Sequence, residues 1–238
     1  NYQAGSEGLF SFLKSVQERG FVRRLSKIIK NRNEKILEIG FGSGALLGAF
    51  QREGFTNLSG SDFSKAGRAI TGIRFAEGNV EEKFPYEEKF DAVILINVIE
   101  HFLNPVLVFQ NCCDHLTQDG KIIVVTPNAD SFMRTVFGRY WAGFHAPRHI
   151  FLFNRTTLSF LAEKTGLQLT NSQSMAEPGQ WSLSIQNILQ DVAWGNTRLT
   201  NGLAWYASML SIICMPFAIL QNMIPKRGAS LFYVFRKK

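Results

Sequence analysis

Apolar side chains recur at helical spacing at Leu9, Phe12, Leu13, Val16, Phe21, Leu25 and Ile28, with Arg19, Arg23, Arg24 and Lys27 between them. The pattern predicts one or two amphipathic helices over residues 9–29. The period then shortens. Residues 35–39 read as a strand that runs into glycines, and 45–53 resume a helical pattern, so the glycines occupy a strand-to-helix turn. Alternation continues with 58–61 as strand two, 65–70 as a short helix, 73–76 as strand three and 92–96 as strand four. Strand four reads AVILI, an unbroken apolar run expected where helices cover both faces of a parallel sheet. A helix over 105–116 with Pro near its first turn and a fifth strand over 121–125 complete a repeated βα order. The expected architecture is α/β, a doubly wound and mostly parallel sheet.

After Pro127 the texture changes. Residues 130–153 gather Trp141, Phe144, His145, Pro147, His149 and several arginines, followed by a predicted helix over 156–165 and a strand over 167–172. Residues 199–225 then run for 27 positions without a charge, ahead of Lys226-Arg227-Gly228 and a last strand over 231–235. About 20 apolar residues suffice to span a bilayer. A single crossing would put 231–235 on the wrong side to rejoin the sheet, and Ser208, Ser211, Gln221 and Asn222 interrupt the run. The stretch is therefore expected to pack as two helices broken near Pro216, or to lie in a membrane interface as a peripheral contact. The expected organisation is an N-terminal helical segment at 1–34, a ligand-binding domain at 35–176 with 230–238, and a helical insertion at 177–229 that serves as lid or membrane contact.

Composition narrows the class. The 238 residues carry 26 Lys and Arg against 19 Asp and Glu, with 45% hydrophobic positions, as expected of a chain with a packed core. From Pro178 onward stand Arg198, Lys226, Arg227, Arg236, Lys237 and Lys238 against Asp191 alone, so the basic excess is mostly C-terminal. Such a tail suits an anionic membrane surface, a nucleic acid, an acidic substrate or plain solvent. Cys112, Cys113 and Cys214 form no CxxC pair and no even framework, which fits a reducing, cytoplasmic setting and leaves no metal-ligand spacing to read. Asn1 to Gly8 lack the basic-then-apolar order of a signal peptide.

The candidate chemistry starts at Glu38-Ile39-Gly40-Phe41-Gly42-Ser43-Gly44. Glycines there let a ligand approach the backbone, and the following helix offers free N–H groups. Alone, the run also satisfies the dinucleotide pattern through Gly40, Gly42 and Ala45. Asp62, at the end of strand two, is placed to accept both hydroxyls of an adenosine ribose; a helix N-cap is its structural alternative. Glu38 separates the cofactor readings. A carboxylate in an apolar strand end calls for a cation, which an α-amino group supplies and a pyrophosphate does not. A salt bridge to Lys35 or another base is the alternative.

With these residues in place the chain resembles the class I S-adenosylmethionine-dependent methyltransferases, in a bacterial branch that carries P-x-H-x-x-x-F after strand five. The resemblance covers roughly 36–172 and rests on five segments: EIGFGSG, Gly60 to Ser64, Gly78 to Glu81, the run from Phe90 to Val93 with Asn97 to His101 and Asn104-Pro105, and Asp119 to Asn128. It implies a Rossmann-like, seven-stranded sheet whose last strand, 231–235, runs antiparallel between two others. It implies that S-adenosylmethionine is the cofactor, with Glu38, Gly40, Phe41, Gly42 and Gly44 at the methionine end and Asp62 at the ribose. Phe63, Asn79 and Val80 are then expected at the adenine, and Asn97 and Val98 beside the methionyl part. Asn79 departs from the Asp often found there, so its amide oxygen would meet the adenine amino group.

Methyl transfer needs alignment and exclusion of water, and a base only if the nucleophile starts protonated. His149 and His101 rank first as candidate bases, with a loop-positioning histidine as the plainer reading of each. Trp141, His145 and Arg148 are expected to line the acceptor site, although aromatic residues after a strand are often core, and Arg148 and Arg139 also suit surface ion pairs. The expected acceptor is a small or lipid-linked molecule. A nicotinamide-dependent oxidoreductase is the rival enzyme, disfavoured by Glu38, and a non-catalytic binding protein on the same fold is the rival without chemistry. Nucleic acid is disfavoured because no Asn/Asp-Pro-Pro-Tyr/Phe tetrapeptide is present.

Overall fold

The computed structural model describes residues 19–63, 70–194 and 207–238. Seven strands form one sheet: β1 (Ile36–Ile39), β2 (Leu58–Asp62), β3 (Arg74–Glu77), β4 (Phe90–Ile96), β5 (Leu116–Pro127), β6 (Leu167–Met175) and β7 (Ser230–Lys237), in the order β3-β2-β1-β4-β5-β7-β6. The helices are α1 (19–26), α2 (Ala45–Arg52), α3 (Pro105–Asp114), α4 (Phe132–Phe137), α5 (Arg155–Lys164), α6 (Pro178–Trp194) and α7 (Ala207–Asn222). β1 runs parallel to both β2 and β4, and β2 to β3, so the doubly wound arrangement read from the alternation is present. β7 lies between β5 and β6, the place the resemblance gave it. The expected helix over 65–70 falls almost wholly outside the described residues, as do the first half of 9–29 and positions 199–206.

The chain packs as two compact units. The first holds the residues up to Ile96 with Leu107–Ile123 and Arg236–Lys238. Apart from Glu38 and Asp91, β1 and β4 are apolar on both faces, and Ile36, Leu37, Val93 and Ile94 are fully buried. Each such side chain contributes about 1.5–3 kcal/mol relative to exposure. Lys121 of β5 closes a buried ion pair with Glu34 at 2.7 Å, which fixes the approach to β1. The register sets Glu38 beside Gly60 and Ile39 beside Ser61, so β1 and β2 end together and bring Glu38 and Asp62 to the same edge of the sheet.

The second unit holds Asn97–Val106 and Val124–Phe235, so α6 and α7 fall in the same unit as β6 and most of β7. α4 starts at Ser131, whose hydroxyl accepts the Arg134 N–H, and α5 starts in a capping box built from Asn154 and Thr157. Asn128, buried at the end of β5, donates to the carbonyls of Lys226 and Gly228 and so pins the entry to β7. The expected break at Pro216 is absent. α7 runs through it, because one lost intrahelical hydrogen bond is offset by the packing of α7 along α6. Among the described residues no helix is long and apolar enough to cross a membrane.

Candidate functional site

In the first unit the turn after β1 takes the backbone of Gly40, Gly42 and Gly44 to φ of 75°, 51° and 72°. That left-handed region disfavours any residue with a Cβ. Gly44 is the N-cap of α2, with no side chain closing the helix end. The loop is tied to β2: Gly40 N–H donates to the Ser61 carbonyl at 2.7 Å, and Gly42 N–H donates to Asp62 Oδ2 at 3.0 Å. Asp62 therefore shapes the glycine loop as well as ending β2. Gly60 is required by close approach, since a Cβ there would stand 2.8 Å from Phe41 and 2.9 Å from Phe75.

Glu38 is 6% exposed, and its Oε2 has no hydrogen-bond partner. Burial first, and the Asp62 carboxylate second, push its pKa up to about 8. The alternative bridge to Lys35 does not form, because Lys35 pairs with Glu88 at 3.0 Å. A buried carboxyl with an orphaned oxygen, facing a second acid across a glycine loop, fits a ligand that brings an ammonium group. It rejects one that brings a pyrophosphate. S-Adenosylmethionine passes this test: its amine suits Glu38 and its ribose hydroxyls suit Asp62.

The adenine-side expectations divide. Phe63 is 59% exposed directly after Asp62, an open aromatic face at the end of β2. Phe41 and Val80 are buried instead, Phe41 against Phe75 with ring centroids 4.5 Å apart. Asn79 uses the amide oxygen assigned to adenine on its own turn, accepting the Glu81 N–H at 2.9 Å, while its amide N–H donates to Glu82.

In the second unit Asn97 follows β4 with φ of 51° and its N–H on the Val125 carbonyl, and Val98 leads into the 3-10 turn Ile99–His101. Glu100 is the residue the sequence reading missed. It is 1% exposed, with Oε2 accepting from Thr126 at 3.0 Å and Oε1 without a hydrogen-bond partner, 3.9 Å from His149 Nε2. Its carbonyl accepts the N–H groups of Ile150 and Phe151, which clamps the histidine segment onto the β4 turn. The only sequence signal was its place inside Asn97 to His101; nothing there showed that the carboxylate turns inward.

Both candidate bases are oriented from behind. The Nδ1 of His149 lies 2.7 Å from the Gly143 carbonyl and that of His101 lies 2.9 Å from the Arg148 carbonyl, so each ring donates there and leaves Nε2 as its acceptor. One ligand atom each from Glu100, His101 and His149 lie within 4.8 Å of one another, a spacing that could hold a divalent ion. Burial disfavours charge on both, pushing Glu100 up to about 7 and His149 down to about 4. His145 is also lowered, by burial and by the Arg148 charge.

The remaining acceptor-side candidates sit differently. His145 and Arg148 are exposed. Trp141 is 1% exposed and packs with Met133 and Ala229, bordered by Phe137, Phe144, Leu152 and Trp181, so its ring belongs to the core. Arg139 takes the duller alternative, an exposed ion pair with Asp191 at 2.9 Å.

Residues 14–172 match the family model described as a methyltransferase domain. The chain is 26% identical to the ubiquinone biosynthesis O-methyltransferase of Salmonella paratyphi A over 44% of this chain and 48% of that enzyme, so it spans about half the length of that relative. A TehB-like S-adenosylmethionine-dependent methyltransferase from Corynebacterium glutamicum superposes with a TM-score of 0.54 at 18% identity, covering 99% of this chain and 100% of that one. Magnesium protoporphyrin IX methyltransferase from Synechocystis, solved with bound S-adenosylhomocysteine, superposes with a TM-score of 0.51 at 15% identity over 66% of this chain and 74% of that one. At these identities the two structures are likenesses of fold.

Proposed function

The chain belongs to the methyltransferase-domain family, within the class I S-adenosylmethionine-dependent methyltransferases, and from that premise we propose that it moves a methyl group from S-adenosylmethionine to a small apolar or lipid-linked acceptor. The cofactor supplies an electrophilic methyl on a sulfonium. Glu38 holds its ammonium, Asp62 its ribose, and Phe63 covers its adenine. The glycine loop brings backbone close enough to exclude water.

On the acceptor side His149 accepts the nucleophile's proton at Nε2 while Nδ1 stays committed to the Gly143 carbonyl. The proton then faces Glu100 Oε1, whose ionised form stabilises it. His101 positions the segment through the Arg148 carbonyl, and His145 and Arg148 meet the acceptor's polar end. An apolar acceptor agrees with the uncharged stretch 199–225, and the same stretch gives the protein a peripheral contact with membranes.

The observation that carries the reading is the orphaned Glu38 carboxyl at the glycine loop. Calorimetry with S-adenosylhomocysteine is expected to give one site, weakened by Glu38→Gln. Methyl transfer is then assayed on polyprenyl, quinone-like and glycolipid acceptors. Binding of NAD with no response to S-adenosylhomocysteine overturns the proposal.

A further inference from the structure

Helices α6 and α7 invert the polarity of an ordinary soluble pair. Their buried positions include Gln180, Ser182, Ser184, Gln186 and Gln221, and their exposed positions include Leu189, Met209, Ile212, Ile213, Met215, Phe217, Ile219 and Leu220. The hydroxyls and several of the amides bond inward, while the Gln180 and Gln186 side-chain oxygens have no hydrogen-bond partner. The Ser182 and Ser211 hydroxyls meet at 2.8 Å, Trp181 Nε1 donates to Gln221 Oε1 at 2.9 Å, and Gln180 donates to Ser230 at 3.1 Å. Hydroxyl and amide pairs between helices with apolar side chains facing away are the arrangement expected where the surroundings are hydrocarbon. In water the hydrophobic effect drives the reverse.

Met209, Ile213, Phe217 and Leu220 stand at i, i+4, i+8 and i+11 along one face of α7, with Ile212, Met215 and Ile219 beside them and Met223 in the turn that follows. No charged residue occurs in α7, and Lys226 and Arg227 follow it, both exposed. The 16 described residues of α7, at about 1.5 Å each, cover less than the roughly 30 Å hydrocarbon core, and their apolar face suits a helix lying along the surface. A broad apolar face closed by two cations complements the acyl layer and headgroups of an anionic bilayer.

We propose that the outward face of α7 docks into the surface of an anionic lipid bilayer, with Lys226 and Arg227 at the headgroups. This deepens the membrane-contact part of the preceding reading and names the surface that makes it. A methyltransferase so placed takes its acceptor from the membrane plane.

The full chain is mixed with phosphatidylcholine vesicles, with and without phosphatidylglycerol, and sedimented at low and high salt. The expected partition onto anionic vesicles exceeds that onto neutral ones by about tenfold, and salt reduces it. Ile213→Asp with Phe217→Asp is expected to lower partition about tenfold or more on both vesicles. Lys226→Gln with Arg227→Gln is expected to remove only the anionic preference. Calorimetry with S-adenosylhomocysteine on the same samples checks that the variants are folded. Equal partition of the wild type and Ile213→Asp with Phe217→Asp overturns the proposal. So does a wild type that stays in the supernatant, whether monomeric or as a dimer that the same two changes dissociate. Loss of S-adenosylhomocysteine binding by the wild type overturns the methyltransferase reading instead and leaves the vesicle result standing.

Discussion

Glu38 gives the sharpest test, because its charge state depends on whether a cation arrives. With its pKa near 8, the carboxyl is largely protonated at pH 7. An incoming ammonium favours the carboxylate, so binding expels that proton. At pH 7, one unit below the raised value, about 0.9 proton is expected to leave per ligand bound. A charged hydrogen bond contributes about 1.5–3 kcal/mol, and deprotonation subtracts about 1.4 kcal/mol for each unit below the raised value. Glu38→Gln and wild type should therefore bind S-adenosylhomocysteine about equally at pH 6 and diverge to roughly tenfold to a hundredfold at pH 8. Above that the ligand's own amine, with a pKa of about 8, loses its proton and affinity falls again. Stability runs the other way. The folded-state value lies above the ordinary 4.5, so the contribution of Glu38 is complete below about pH 4.5 and is lost as pH rises toward about 8, by on the order of 5 kcal/mol. Glu38→Gln should flatten that loss. Calorimetry in buffers of different ionisation enthalpy measures the proton count, and thermal unfolding across pH measures the stability limb. A binding enthalpy independent of buffer, with affinity flat between pH 6 and 8, refutes the pairing of Glu38 with an ammonium.

Gly60→Ala forces a methyl against Phe41, Phe75 and Leu47 and is expected to cost about 1–3 kcal/mol in urea unfolding, with weaker S-adenosylhomocysteine binding because β2 carries Asp62; unchanged stability contradicts the close approach. Asp62→Ala removes the acceptor for the Gly42 N–H and for the ribose, and calorimetry should show affinity down by roughly tenfold to a hundredfold. His149→Ala should lower methyl transfer by about 10²–10⁴ while leaving S-adenosylhomocysteine affinity within about twofold; unchanged turnover reduces His149 to a loop anchor. Glu100→Gln keeps the Thr126 contact but cannot hold a proton on His149, so turnover should fall with affinity unchanged, and a fall in affinity alone argues against that role.

The sheet was legible because its signals are local. An apolar run such as AVILI and a strand ending in three glycines constrain backbone and burial within a few residues, and β1, β2, β4 and α2 stand within a residue or two of their predicted bounds. β5 runs well past its expected limits to Leu116 and Pro127, since ladder partners extend a strand through Thr117 and Gln118, which propensity alone would not recruit. Glu38 and Asp62 could be read because spacing along the chain placed both at strand ends. What could not be read was set by contacts that the pattern does not show. The Asn79 amide oxygen accepts the Glu81 N–H on its own turn, and its amide N–H donates to Glu82. Trp141 is aromatic after a strand in either reading, and only the packing of Met133, Ala229 and Trp181 around it selects core. The helix through Pro216 depended on the packing of α7 along α6.

Glu38 and Glu100 pose the same physical question in two settings. Each is buried with one oxygen lacking a hydrogen-bond partner, and each is raised by burial, a cost that a glutamine or an apolar residue of similar volume would avoid. Their surroundings differ in what can relieve them. Around Glu38 the nearest charged group that acts on it is Asp62, another acid, so its partner has to arrive with a ligand. Glu100 already faces an imidazole whose Nδ1 is committed elsewhere, so its partner can be made in place by delivering one proton to His149 Nε2. On the proposed reading, a carboxylate that waits for a ligand's charge would govern binding, and one that waits for a transferred proton would govern turnover. The division of labour between the cofactor and acceptor sides follows from which cation each orphaned oxygen can obtain.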